Sequence, residues 1–484
     1  MEILKKTGKF LLGVVIGVAI MMFADRYYVK GKRLIADNLP KEPVEYVNPY
    51  MGNISHLLVP TYPTVHLPNS MLRVYPERGD FTGDRLGGLP LIVTSHRGSS
   101  AFNLSPYQGD EAGLKPVIQY SYDREKIVPY RYQVYLDEAN IEVDYAPSHQ
   151  SAVYSLTFEK DGPAYLVFNS RNGELKCDGN TVSGFQYVDK KTKVYLYAET
   201  DKTPEKSGVL TSGTVKYGKS SVEGKDAALA LAFSGQKEIG VRYGISFIST
   251  EQARKNLERE INSYDVSAIA RIGRNEWNDA LGKIQVSGGS ENDKTVFYTS
   301  LYRTYLSPAD VSSPDGAYLG TDGKVYISED FRYYSNWSLW DTFRTKFPLL
   351  VLTEPAKMRD MATSLIHLYA TGKKDWSTGF ESTPTVRTEH AVILLLDAYR
   401  KGITNLDFRK GYAGMKQEME RLPMRSPDQK MESAYDLWAM AKIAEIIGEK
   451  ADSEQYRQRS VSLFEETWKK EFMNVTPAFE VMKN

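Results

Sequence analysis

From about residue 90 to residue 248, apolar and polar positions alternate along the chain. Tyr130, Tyr132, Val134 and Leu136 form one such run, Tyr154, Leu156 and Phe158 a second, and Val241, Tyr243, Ile245 and Phe247 a third. Successive side chains of a strand point to opposite faces, so each run predicts a strand with one buried face. The runs are short and bounded by turn residues at Asp161-Gly162, Asn172-Gly173 and Asp178-Gly179-Asn180. Regular short strands joined by tight turns predict an antiparallel sandwich, since parallel pairing needs long crossovers.

Near residue 249 the period changes. Ser249 with Gln252 three residues on has the pattern of a capping box, and predicts a helix running to Ile261. Met358, Met361, Leu365 and Leu368 keep helical spacing behind Pro355, a residue suited to a first turn. Ala391 to Tyr399 reads as a buried helix ended by Lys401-Gly402, and Ser433 to Ile447 as another ended by Gly448. Residues 454–472 form a third. The pattern divides the chain into a signal segment (1–26), a β-sandwich domain (27–248), a helical linker (249–290) and a helical domain (291–484). All six tryptophans, from Trp277 to Trp468, lie in the α half, where a ligand cleft or the packing of long helices would explain them equally.

The first 26 residues read as an export signal. Lys5, Lys6 and Lys9 precede an apolar run from Phe10 to Ala24, too short for a comfortable membrane span and the right length for a signal core. The segment predicts a periplasmic, cell-envelope or extracellular destination in a bacterium, with no stable span once it is cleaved.

Composition narrows the chemistry. Lys+Arg and Asp+Glu are both 61, so the net charge is zero and the field of a general nucleic-acid binder is absent. One cysteine, Cys177, excludes a disulfide framework and any cluster held by several thiolates. The six histidines form neither HExxH nor HxH. Carboxylates are left to carry the chemistry. Two stretches concentrate them beside aromatics. In Tyr333-Tyr334-Ser335-Asn336-Trp337-Ser338-Leu339-Trp340-Asp341-Thr342-Phe343-Arg344, an aromatic face could pack on a sugar ring while Asp341 and Arg344 take its hydroxyls. A structural Asp–Arg pair at a helix start explains the same residues. The second is the polar loop 374–390 ahead of a buried helix. Glu381 has apolar and aromatic neighbours that would raise its pKa towards general-acid duty. Glu389 would sit at the helix entrance, where opposing the helix dipole is its ordinary role. His390 there is better explained as a satisfied, partly buried core histidine than as a catalyst.

Taken together, these motifs resemble glycoside hydrolase family 92, the calcium-dependent exo-acting α-mannosidases. The opening segment Val47-Asn48-Pro49-Tyr50-Met51-Gly52 carries one part of the resemblance. The most specific part runs from Leu301-Tyr302-Arg303-Thr304 through Gly320-Thr321-Asp322-Gly323 to Ser338-Leu339-Trp340-Asp341-Thr342-Phe343-Arg344. A third part comprises His390, Asp397-Ala398-Tyr399, Glu432, Ala434-Tyr435-Asp436 and Trp438. The resemblance implies a β-sandwich followed by an (α/α)6 catalytic domain, inverting hydrolysis of terminal α-mannosides, and a Ca2+ ion that helps hold the sugar. It implies sugar contact at Asp341, and support or contact at Trp340, Arg344 and His390. Glu381 is the general-acid candidate and Glu389 the runner-up. Where the family has Gly-Asn-Glu-Thr-Asn-Cys, this chain reads Gly379-Phe380-Glu381-Ser382-Thr383-Pro384. The family's water-activating carboxylates and part of its barrel lie beyond the position of Asn484, so the resemblance implies an incomplete barrel lacking its downstream base, with apolar helix faces left uncovered. Mannose-containing glycans are the expected partners. Two other readings stay open: a carbohydrate-binding or scaffold protein without turnover, and an exo-glycosidase for another sugar or linkage.

Overall fold

The computed structural model describes residues 41–54, 61–78, 82–95, 99–188, 190–372 and 388–473. The signal segment and Glu381 lie outside the described residues.

The first half is a β domain, as the alternation predicts. Fourteen strands join in one antiparallel network. We number them β1 (Arg85–Gly87), β2 (Leu89–Ser95), β3 (Ser99–Gln108), β4 (Gln119–Val128), β5 (Arg131–Leu136), β6 (Ile141–Pro147), β7 (Ser151–Phe158), β8 (Ala164–Asp178), β9 (Thr181–Tyr187), β10 (Lys193–Thr200), β11 (Lys206–Thr211), β12 (Thr214–Tyr217), β13 (Ser221–Phe233) and β14 (Glu238–Ser246). The order is β12-β11-β13-β8-β9-β10-β14-β7-β6-β5-β4-β1, and β3 joins β8 to β2. The alternating residues face one core: Tyr132, Val134, Leu136, Tyr154, Leu156, Phe158, Val241, Tyr243 and Ile245 are all buried in it. One expected turn is not a turn. Asn172-Gly173 lies inside β8, where Gly173 pairs with both Gln186 and Gly224. A Cβ at Gly173 would collide with the carbonyl of Phe185, so the glycine serves close backbone approach rather than reversal.

Ser249 caps helix α1 (Thr250–Glu260), accepting from the backbone N–H of Gln252 at 3.1 Å. The reciprocal half of the expected capping box is missing, because the Gln252 amide turns to Asn256 at 3.2 Å and Asp315 at 3.3 Å. α1 and α2 (Val266–Leu281) occupy the 249–290 stretch and pack on the sheet, with Leu257, Ile261, Val266 and Ile269 in one cluster with Ala146 and Val153. Helix α3 (Glu291–Thr304) follows.

The opening segment docks on α2 and α3. Trp277 donates to the carbonyl of His66 at 2.7 Å, Tyr302 to that of Thr64 at 2.7 Å, and the Asn48 backbone N–H to Thr299 at 3.0 Å. Glu354 is buried beside this junction. It accepts from Tyr305 at 3.1 Å and pairs with Lys283.

The remaining helices share a second core. They are α4 (Leu339–Thr342), α5 (Lys346–Thr353), α6 (Pro355–Thr371), α7 (Ala391–Arg400), α8 (Phe408–Met419), α9 (Pro427–Ile447) and α10 (Lys450–Thr467). Met358, Met361, Leu365 and Leu368 of α6 are buried in it with the apolar run of α7, as the spacing predicts.

Candidate active site

After the short strand Tyr334–Ser335, Asn336 takes a left-handed turn (φ 63°) and the chain enters α4. Trp337 is buried, whereas Trp340 is 39% exposed. Phe343, one turn on, is buried against the imidazole of His390 with ring centroids 4.7 Å apart.

His390 is the residue before α7. Its φ of 68° is left-handed, a conformation that is uncommon for a side chain of this size. Its carbonyl starts the helix by accepting from the backbone N–H groups of Ile393 and Leu394 at 3.1 and 3.2 Å. The left-handed turn sends the ring towards α9. There Glu432 and Asp436, four residues apart, share one face of the helix. His390 Nδ1 lies 3.0 Å from Asp436 Oδ2 and 3.2 Å from Oδ1, and its Nε2 lies 3.8 Å from Glu432 Oε2. Glu432 also accepts from Arg344 at 3.3 Å. Burial pushes the imidazole towards its neutral form. Asp436, then Glu432 and Glu389, outweigh it, so the pKa of His390 is raised above its ordinary value.

These groups open into a cavity of about 470 Å3, lined among others by Trp340, Glu389, His390, Glu418, Arg421, Glu432 and Asp436. Its size suits a small ligand, for which pockets run roughly 300–1,000 Å3. The cavity of about 20 Å3 between the sheet and the loops after α3 has room for little more than a water, and holds none of these residues.

Four sequence-derived site residues therefore meet. Trp340, Glu389 and His390 line the cavity, and Arg344 reaches it through Glu432. Asp341 does not line it; it is exposed at the start of α4. Glu381 lies outside the described residues. Glu432 and Asp436 carry part of the family resemblance, but the resemblance alone implies no role for them. Their spacing of four on a helix was the available signal. Glu418 and Arg421, from α8 and the turn after it, belong to no motif that marks them in the sequence.

The calcium ion implied by the resemblance would need several oxygen ligands around one point. Among the described residues, no group of three or more His, Cys, Asp or Glu is arranged to hold a metal, and Glu432 and Asp436 are turned towards His390 and Arg344. The described residues do not fit the ion.

Residues 46–246 match the Glycosyl hydrolase family 92 N-terminal domain, and residues 252–430 match the Glycosyl hydrolase family 92 catalytic domain. The chain belongs to glycosyl hydrolase family 92. The family match includes Trp340, Asp341, Arg344, Glu381, Glu389 and His390 and ends two residues before Glu432. The solved structures it is similar to include a family 92 inverting mannosidase of Bacteroides thetaiotaomicron (24% identity, TM-score 0.77, 88% of this chain and 65% of that one). A family 92 α-mannosidase of that organism, in complex with mannoimidazole, shares 22% identity at a TM-score of 0.77, over 87% of this chain and 64% of that one. At these identities the likeness speaks for the fold. An uncharacterised secreted glycosidase of Arthroderma benhamiae is 25% identical over 218 residues, 44% of this chain and 24% of that protein. The chain thus spans less than two thirds of the length of each of these proteins. Among the described residues, no helix is long and apolar enough to cross a membrane.

Proposed function

We propose that this family 92 chain is exported and recognises the terminal mannose of α-linked glycans for inverting hydrolysis. The observation that carries the reading is the cavity beside α4, which gathers Trp340, Glu389 and His390 from the family-matched region with Glu432 and Asp436. The exposed Trp340 offers an aromatic face to the C–H face of a sugar. Glu432, paired with Arg344, accepts from sugar hydroxyls, and charge-assisted bonds of this kind are the strong ones. Glu381 is the proposed general acid and Glu389, on the cavity wall, the runner-up. An inverting reaction also needs a second carboxylate roughly 6.5–9.5 Å from the acid, with water between them. Calcium enters the proposal as a requirement to be tested, and export as a reading supported by the amino-terminal pattern and by the secreted relative.

The test is mannose released from α-mannobiosides by the purified 484-residue chain, with calcium and with a chelator, alongside calorimetric binding of methyl α-mannoside. Binding of methyl α-mannoside is the expected result; release would show that a second carboxylate acts with the acid, and loss of release in the chelator that calcium is bound. Binding without release would favour sugar recognition without turnover, a reading to which the placement of Glu432 between Arg344 and His390 lends weight. Absence of both would overturn the assignment of the cavity.

A further inference from the structure

His390 is 5% exposed, and its Nε2 has no hydrogen-bond partner among the described residues although it borders the cavity. A buried polar atom left unmatched costs free energy unless a ligand or water satisfies it. The Asp436 carboxylate behind the ring can only accept, so Nδ1 carries a hydrogen. At 3.8 Å, Nε2 and Glu432 Oε2 are too far apart to bond each other. One oxygen at about 2.7–2.8 Å from both would see them at an angle of roughly 90°, close to what a hydroxyl tolerates when it accepts one bond and donates another.

We propose that the gap between His390 Nε2 and Glu432 Oε2 is the seat of one sugar hydroxyl, which accepts from the imidazolium and donates to the carboxylate, with Asp436 as the positioning residue that keeps both His390 nitrogens protonated. The inference rests on the reading of the cavity as a sugar site and says what that site selects. A deoxy sugar leaves His390 Nε2 unmatched and Glu432 Oε2 without that donor, Arg344 holding the other oxygen. An ether oxygen can accept from His390 but cannot donate to Glu432. A carboxylate or phosphate oxygen would lie against Glu432 and be repelled. The seat therefore takes a neutral polyol with a free hydroxyl at one ring position. Charged groups face His390 from every side: Glu389 precedes it, Glu432 and Asp436 belong to α9, and Arg344 stands beyond Glu432 on the side of α4. Glu418, Arg421 and Asp428 look into the same cavity, and Phe343 covers the ring itself.

The experiment uses the full chain, methyl α-mannoside, and its 2-, 3-, 4- and 6-deoxy and O-methyl analogues, with affinities measured by calorimetry. One position is expected to lose about tenfold in both its deoxy and its O-methyl form, the loss of one charge-assisted hydrogen bond. In His390→Phe, and in His390→Gln should the former fail to fold, that discrimination shrinks below about threefold. In Asp436→Asn, affinity falls away at a lower pH than in the wild type. Nitrogen-15 spectra of the ligand-free chain near pH 6 should show His390 with both nitrogens protonated. A neutral His390 there, or discrimination that survives loss of the imidazole, overturns the seat while leaving the sugar site standing. A wild-type chain that binds no mannoside overturns the site reading and the seat with it.

Discussion

At the scale of single residues, one indole and one carboxylate that are neighbours in sequence have different surroundings. Trp340 lines the cavity, while Asp341 is exposed outside its lining and makes no hydrogen bond or ion pair among the described residues. Stacking on a sugar face should make the indole the larger contributor. Trp340→Ala is expected to weaken methyl α-mannoside binding about five- to tenfold, the order of one ring-stacking interaction at a partly exposed site, with far-UV circular dichroism unchanged. Asp341→Asn should cost less than about threefold by the same titration, because an exposed and untethered carboxylate is well solvated without the sugar. A larger effect for Asp341 than for Trp340 would move the sugar from the cavity wall to its rim and restore the direct contact that the family resemblance implies.

Helices α7 and α9 share an apolar core and are also joined through His390, which faces Asp436 and Glu432, so their docking should depend on pH. The raised pKa of His390 fixes the sign: its stabilisation is fully present below about pH 6.5, the ordinary histidine value, and is lost as pH rises through the higher folded value. Between pH 6 and 9, the melting temperature of the wild type should fall more than that of His390→Gln; parallel curves would mean that the pair carries no net linkage. At α1, Ser249→Ala removes the side-chain acceptor of the N-cap and should cost about 1 kcal/mol in urea unfolding. The same elements show how far the sequence can be read. α6 was legible because Met358, Met361, Leu365 and Leu368 form one buried stripe, and α7 because its apolar run is closed by Lys401-Gly402. α8 was not read: Phe408, Gly411, Met415 and Met419 keep helical spacing, but glycines at 411 and 414 weaken the helical signal of the segment. α9 begins six residues earlier than its apolar stripe, at Pro427, because its first turns carry polar side chains at the cavity mouth. Local pattern cannot report the His390–Asp436 contact, made across 46 residues by a left-handed backbone turn.

Over the whole molecule, large apolar side chains are distributed unevenly between core and surface. The sheet and the helical domain each close a core, yet adjoining helices leave aromatic rings in solvent. Tyr435 stacks on Trp438 in α9 at 5.6 Å, Phe464 on Trp468 at 6.1 Å, and Trp468 on Phe472 at 5.5 Å. The two helices are tied together where Ser460 donates to the carbonyl of Ala434 at 2.7 Å. Stacking hides part of each ring and leaves the rest exposed, and exposed aromatic surface of this kind drives association. The neighbouring charges cancel locally, Lys469 with Glu465 and Lys470 with Glu466, so little net repulsion opposes contact between chains. Two outcomes follow for the purified protein. It should bind the dye ANS while showing intact near-ultraviolet dichroism, and its weight-average mass in sedimentation should rise with concentration. Salt should not reverse that rise, because screening has little to act on and apolar contact strengthens in excluded salts such as sulfate. Trp438→Gln combined with Phe464→Gln should lower both dye binding and mass without changing the helical signal. A mass that stays monomeric at all concentrations, or a double variant that associates as before, would locate the adhesive surface elsewhere than α9 and α10.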